Sequence, residues 1–165
     1  MRKNKILYGR QHIDRNDIKK VQLSLKENFI TTGKYVRQFE INLKKKFKSK
    51  FAISCSSGTA GLHLAFLSLD LKKGDIVIMP SINFISSYRV AELMGAKIFL
   101  SDVDPISGQM TPETLEQCIK KNKIKNVKAI VTMYLGGYIK NNIEFFKIKK
   151  RLGCALIEDA CHAIG

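Results

Sequence analysis

From residue 51 onward, short apolar runs alternate with longer stretches in which apolar residues recur every three or four positions. The runs 51–55, 76–79, 97–100, 129–133 and 155–157 predict strands, and the intervening 59–69, 86–94, 112–120 and 143–151 predict helices. Strands separated by helix-length segments are joined by crossovers, so the expected class is α/β: a mostly parallel sheet with flanking helices. Ahead of residue 51 the period is helical. Ile18, Val21 and Leu25 share one face, with Asp14 or Asn16 as the cap and a break across 28–33; Val36, Phe39, Leu43 and Phe47 share the face of a second helix. Lys73-Gly74-Asp75 reads as a helix exit into a strand. Thr111-Pro112-Glu113 reads as a cap, a first-turn proline and an acid at the positive end of a helix. No internal repeat or low-complexity linker interrupts the pattern.

The chain has 165 residues, 45% of them hydrophobic, enough for one sizeable core but not for two comfortable domains. Its 29 basic and 14 acidic side chains leave a formal charge of +15. That excess would favour anionic partners. Much of it, however, lies in Lys44-Lys45-Lys46, Lys120-Lys121 and Lys149-Lys150-Arg151, where solvated helix faces and ends are expected. No zinc-finger spacing or RNA-recognition aromatic motif accompanies it, so no nucleic-acid partner is expected. Cys55, Cys118, Cys154 and Cys161 form no CxxC pair, and three of them adjoin apolar core sequence, which suits reduced buried thiols. No charged leader precedes an apolar stretch and no run approaches 18 apolar residues. The expectation is a cytoplasmic protein with no membrane partner.

Chemistry concentrates at the ends of the predicted strands. Ser56-Ser57-Gly58-Thr59-Ala60-Gly61 lies between a strand and a helix, where small residues let backbone N–H groups approach an anion such as phosphate. It is neither a dinucleotide fingerprint nor a Walker A loop, and a plain tight turn is the competing reading. Pro80-Ser81-Ile82-Asn83-Phe84 follows the next strand, so Asn83 and Phe84 fall at the same sheet end. Phe84 suits either stacking on a flat ring or the core at a helix start. Asp159 ends the last apolar run, with His162 three residues on. A carboxylate there requires a donor, either the next turn, a lysine, or a protonated ring nitrogen. His162 suits a hydrogen bond to a cofactor oxygen or to a neighbouring carbonyl. A Cys161–His162 nucleophile pair is disfavoured because adjacent side chains diverge. Glu158, Cys161 and His162 lack tetrahedral spacing with the remote His12 and His63, so no metal is expected. Taken in order, an anion loop, an aromatic, an aspartate and a histidine make a workable site for pyridoxal 5'-phosphate (PLP), in which an Asp-paired pyridinium serves as an electron sink.

These residues also carry a family resemblance. Thr32-Gly33-Lys34-Tyr35-Val36-Arg37-Gln38-Phe39-Glu40, Ser57-Gly58-Thr59-Ala60, Gly74-Asp75-Ile76-Val77-Ile78-Met79-Pro80, Asn83-Phe84, Gly95-Ala96-Lys97-Ile98-Phe99 and Glu158-Asp159-Ala160-Cys161-His162-Ala163-Ile164-Gly165 together resemble the DegT/DnrJ/EryC1/StrS family of PLP-dependent sugar aminotransferases. The resemblance implies part of the large domain of the aspartate-aminotransferase-like architecture, PLP fold type I. On it, residues 1–34 form an N-terminal helical segment and 35–165 part of the PLP-binding domain, with the rest of that domain and a small domain absent.

By position, the resemblance makes Gly58 and Thr59 the phosphate contacts, Phe84 the stacking ring, Asp159 the partner of the pyridine nitrogen, and His162 a group facing the cofactor's O3′ side. Asn83 stands where threonine is common. The implied reaction moves an amino group from glutamate to a 4-keto-6-deoxy sugar on UDP or dTDP, for surface polysaccharide or glycan synthesis, in a homodimer. The family's Schiff-base lysine belongs to a Ser-Phe-x-x-x-Lys segment beyond the Asp159 motif. Residues 1–165 alone are therefore expected to turn over negligibly. Two alternatives stay open: a noncatalytic remnant or one piece of a split enzyme, and a nucleotide-binding module using the Ser57-Gly58-Thr59 loop.

Overall fold

A computed structural model describes residues 10–164. The chain divides into two compact units, residues 1–54 and 55–165.

The first unit contains α1 (Arg15–Ser24) and α2 (Lys34–Phe47). Asp14 is the cap of α1. Its carboxylate accepts from the N–H groups of Asn16 and Asp17, while the Asp17 side chain accepts from the Asp14 N–H, a reciprocal box that satisfies the helix's orphan donors. These backbone donors hold the Asp14 carboxyl below its ordinary pKa. In α2 the three consecutive lysines Lys44, Lys45 and Lys46 occupy the last turn, where positive charge complements the carbonyl end of the helix. Glu40 accepts from both the N–H and the hydroxyl of Ser54 at 2.8 Å.

The second unit begins with α3 (Gly58–Ser68), followed by β1 (Ile76–Pro80), α4 (Ile85–Leu93), β2 (Lys97–Ser101), α5 (Pro112–Lys121), β3 (Val127–Met133), α6 (Asn142–Leu152) and β4 (Ala155–Asp159). The strands form one four-stranded sheet, ordered β2-β1-β3-β4, with every pair parallel. Alternation along the strands sorts the core into two layers. Val77, Met79, Ala129 and Val131 pack with Phe66 of α3 and with Val90 and Ala91 of α4. Ile78 and Ile130 point the other way, toward Leu115 and Cys118 of α5 and Phe145 and Ile148 of α6. Thr111 caps α5 through a reciprocal box with Thr114, and Pro112 sits at its start. Arg151 in the last turn of α6 forms an ion pair with Glu116 of α5.

The predicted strands at 76–79, 97–100, 129–133 and 155–157 all occur, extended by one or two residues, and so do the helix before them and the three between them. The expectation of a strand at 51–55 is corrected: this segment joins no ladder, and Phe51 and Ile53 are 72% and 76% exposed. Apolar alternation marks a segment able to pair, but a strand also needs a neighbour's N–H and C=O groups, and none of the described strands supplies them. A second correction concerns the thiols. All four cysteines are free, but only Cys118 and Cys154 are buried; Cys55 and Cys161 are exposed. The latter two lie in the loops before α3 and after β4, both near the first turn of α3, where local apolarity does not amount to burial.

Candidate functional site

The strand order doubles back at β1: β2 lies on one side of it, and β3 and then β4 on the other. Loops that leave neighbouring strands in opposite directions open a crevice at the carboxyl ends, the usual place for a ligand in such sheets. The chain leaves β1 at Pro80, β3 at Met133 and β4 at Asp159, and Met133 and Asp159 are register partners.

Asp159 is only 5% exposed. Its Oδ1 accepts the Cys161 N–H at 3.2 Å, and its carbonyl accepts the Tyr134 N–H at 3.2 Å. A buried carboxylate held at a strand end in this way is suited to a cationic N–H donor, because charge-assisted hydrogen bonds best repay lost hydration. Alternation turns the preceding residue to the other face. Glu158 there accepts from the buried Tyr134 hydroxyl, and burial together with that carboxylate raises the tyrosine's pKa. The two consecutive acids therefore serve different sides of the sheet.

The small-residue loop meets the end of β4. Ser57 caps α3, its hydroxyl accepting from the Ala60 N–H at 3.1 Å and its carbonyl from the Gly61 N–H at 3.0 Å. Gly58 and Thr59 thus carry the first N–H groups of the helix, which have no acceptor one turn earlier. A Cβ on Gly58 would lie 3.0 Å from the Cys161 Sγ, so glycine is what allows the start of α3 to approach the loop after Asp159. The Thr59 and Ser86 hydroxyls share a 2.6 Å hydrogen bond, which ties the first turn of α3 to the first turn of α4. Phe84 precedes α4 and is 64% exposed, an aromatic face held at the crevice and not consumed by the core. Asn83 donates to Ser87 at 2.6 Å, while its buried Oδ1 has no hydrogen-bond partner among the described residues.

The loop after β3 holds His162. Its Nδ1 accepts the Gly136 N–H at 3.2 Å, and a Cβ on Gly137 would lie 2.5 Å from the His162 carbonyl oxygen. The Cys161 thiol lies beside the Asp159 carboxylate. That carboxylate and partial burial push its pKa up to about 11, which does not suit an activated Cys161–His162 nucleophile pair. In the folded chain, iodoacetamide labelling of Cys161, followed by peptide mass spectrometry, is expected to keep accelerating with pH to about 11. A plateau near the ordinary thiol range would contradict an Asp159 carboxylate beside the thiol.

Gly58 comes up against Cys161, two residues past Asp159, and Thr59 bonds Ser86, two residues past Phe84. Ser86, Tyr134, Gly136, Gly137 and Gln109 are supporting residues absent from the sequence reading. Only the Gly136-Gly137 doublet, a turn signal directly after a strand, could have been found locally. A cavity of about 730 Å³ beside β2 and α5, lined in part by Leu100, Asp102, Thr114 and Cys118, includes none of the named site residues. Among the described residues no cluster of three His, Cys, Asp or Glu could hold a metal ion, and no helix is long and apolar enough to cross a membrane.

Comparison with known proteins gives a family match over nearly the whole chain. The model of the DegT/DnrJ/EryC1/StrS aminotransferase family matches residues 11–165. Among solved structures, an aminotransferase from Psychrobacter cryohalolentis is 32% identical with a TM-score of 0.78, the match covering 90% of this chain and 36% of that one. GDP-4-keto-6-deoxy-D-mannose-3-dehydratase from E. coli, with bound hydrated PLP, is 30% identical with a TM-score of 0.85, covering 94% and 41%. A GDP-4-keto-6-deoxymannose-3-dehydratase with a trapped PLP-glutamate geminal diamine is also 30% identical, TM-score 0.84, covering 93% and 40%. This chain thus spans 36 to 41% of the length of these solved chains. Its parallel sheet with helices on both faces is the corresponding part of the PLP fold type I architecture, as the resemblance implied.

Proposed function

Because the chain belongs to the DegT/DnrJ/EryC1/StrS aminotransferase family, we propose that it is part of a PLP enzyme transferring an amino group from glutamate to a 4-keto-6-deoxy sugar. The sugar is carried on UDP or dTDP, and the product serves surface polysaccharide or glycan synthesis. The observation that carries this reading is the close approach of Gly58, at the start of α3, to Cys161, two residues after the buried Asp159. It supports reading Asp159 as the acid for a ring nitrogen and the first N–H groups of α3 as the phosphate contacts of one site.

The residues present fit the cofactor. Gly58 and Thr59 hold its phosphate through the first N–H groups of α3, and Phe84 covers the ring. Asp159 keeps a proton on the pyridine nitrogen, and His162 meets the phenolic oxygen side. When bound, PLP supplies an electron sink that makes the donor's α-proton removable. Residues 35–165 supply part of the cofactor domain. The cofactor-linking lysine and most sugar contacts belong to sequence beyond these residues, in a cytoplasmic homodimer.

The test is mass analysis of products formed by the full-length protein from glutamate and UDP- or dTDP-linked 4-keto-6-deoxyhexoses. An amino sugar together with 2-oxoglutarate supports the proposal. A dehydrated sugar supports a second reading, favoured by the two dehydratase matches, in which the amino group activates the sugar and is not retained. Nucleotide binding with neither product nor PLP uptake would leave a binding module.

A further inference from the structure

We infer that Gln109 is a positioning residue for this site: through the turn at residues 135–138, its carboxamide holds His162 as the tautomer that carries its proton on Nε2. The inference rests on the reading that His162 meets the cofactor's phenolic oxygen, and it specifies how that histidine is made a donor.

Gln109 lies between β2 and α5 and is 7% exposed. Its Nε2 donates to the Leu135 carbonyl at 3.2 Å and to the Tyr138 carbonyl at 2.8 Å, partners 26 and 29 residues away in sequence. Both amide hydrogens are thereby spent on the two ends of one turn. The turn itself is built on positive φ at Gly136 (67°) and Gly137 (80°), with the Gly137 N–H returning to the Tyr134 carbonyl at 3.0 Å. From within it the Gly136 N–H points at His162 Nδ1, 3.2 Å away.

A ring nitrogen that accepts a hydrogen bond carries no proton, so the neutral imidazole must carry its proton on Nε2. His162 is thereby set as a donor at Nε2, the requirement for a group that steadies a phenolate oxygen.

The platform beneath Gln109 is itself tied down. Asp104 Oδ1 accepts from the N–H and hydroxyl of Ser107 at 2.8 Å, the Gly108 N–H returns to the Asp104 carbonyl at 2.8 Å, and the Asp104 N–H donates to the Gln109 carbonyl at 2.9 Å. A Cβ on Gly108 would lie 3.1 Å from Leu135 Cδ2, so this loop and the turn after β3 are packed directly together. Without the carboxamide, the Tyr138 carbonyl loses the Gln109 donor and the Leu135 carbonyl keeps only the Tyr138 N–H at 3.5 Å, and the turn tilts to reach water. The Gly136 N–H then no longer selects the histidine nitrogen.

The experiment is long-range proton–nitrogen NMR of the full-length apoprotein with labelled histidine, His162 being assigned by its loss in His162→Gln. Wild type is expected to show His162 with bare Nδ1 and protonated Nε2. Gln109→Met, which keeps the length and loses both donors, is expected to draw both nitrogen resonances toward the average of the two tautomers. A wild-type proton on Nδ1, or a folded Gln109→Met with the tautomer unchanged, would overturn the inference. Should Gln109→Met fail to fold, Gln109→Glu, which keeps the shape and loses both amide donors, decides by the same spectra: a shift of both nitrogen resonances toward the tautomer average supports the inference, and an unchanged tautomer overturns it. The cofactor contact is read separately, by titrating the bound cofactor's absorbance in wild type and His162→Ala. Identical titrations alongside an intact tautomer effect would sink the contact and leave the positioning role standing.

Discussion

In the full-length protein, Asp159→Asn is expected to lower kcat by about 10³-fold, or about 4 kcal/mol of barrier, with little change in the sugar's KM. The substitution is chosen because it isolates charge. An asparagine Oδ1 can still accept the Cys161 N–H that Asp159 accepts at 3.2 Å, so the loop after β4 keeps its shape. What disappears is the negative charge of a residue buried at the carboxyl end of β4. A neutral amide cannot hold a proton on a pyridine nitrogen, and an unprotonated ring is a far weaker electron sink. The loss should therefore fall on proton removal from the amino donor, measured as the rate of the glutamate half-reaction. Retention of the cofactor phosphate at the start of α3 should change little. Activity within tenfold of wild type would remove Asp159 from the ring-nitrogen role.

Gly137→Ala is expected to cost about 3 kcal/mol of stability in a denaturant titration, while Gly136→Ala costs only about 1 kcal/mol. Both glycines have positive φ, 67° at Gly136 and 80° at Gly137, so both substitutions carry the left-handed backbone penalty. They differ in their surroundings. Nothing lies within 4 Å of a Cβ on Gly136, whereas a Cβ on Gly137 would meet the His162 carbonyl oxygen at 2.5 Å and its carbon at 3.4 Å. Backbone cannot turn away as a flexible side chain can, so the loop carrying His162 must shift. Equal costs for the two variants would mean that the turn and the His162 loop are not held in such close contact.

Much of the second unit was legible locally. Apolar runs such as Ile76-Val77-Ile78-Met79, the Thr111-Pro112 cap and the small residues before α3 each follow from backbone geometry within a few positions, and each element they predict is present. The roles given to Gly58, Thr59, Phe84, Asp159 and His162 came from their order and from a family resemblance. The structure adds how close some of them lie.

The supporting residues were illegible for a definite reason. Gln109 acts on carbonyls 26 and 29 residues away, Ser86 on Thr59 27 residues away, and Gly137 against His162; none leaves a periodic or local trace. The segment 51–55 shows the converse, a strand-like pattern with no ladder, because pattern describes a chain's willingness to pair and pairing needs a second edge.

By itself, then, the sequence determined the succession of helices and strands and the chemistry delivered at each strand end, since both depend on side-chain period and on groups adjacent along the chain. The tertiary structure alone decided that Gly58 at the start of α3 comes up against Cys161, and that a turn anchored by Gln109 reaches His162. Those outcomes depend on which strands become neighbours. That choice is made by burying two apolar faces of one sheet at once, and no single stretch of chain encodes it.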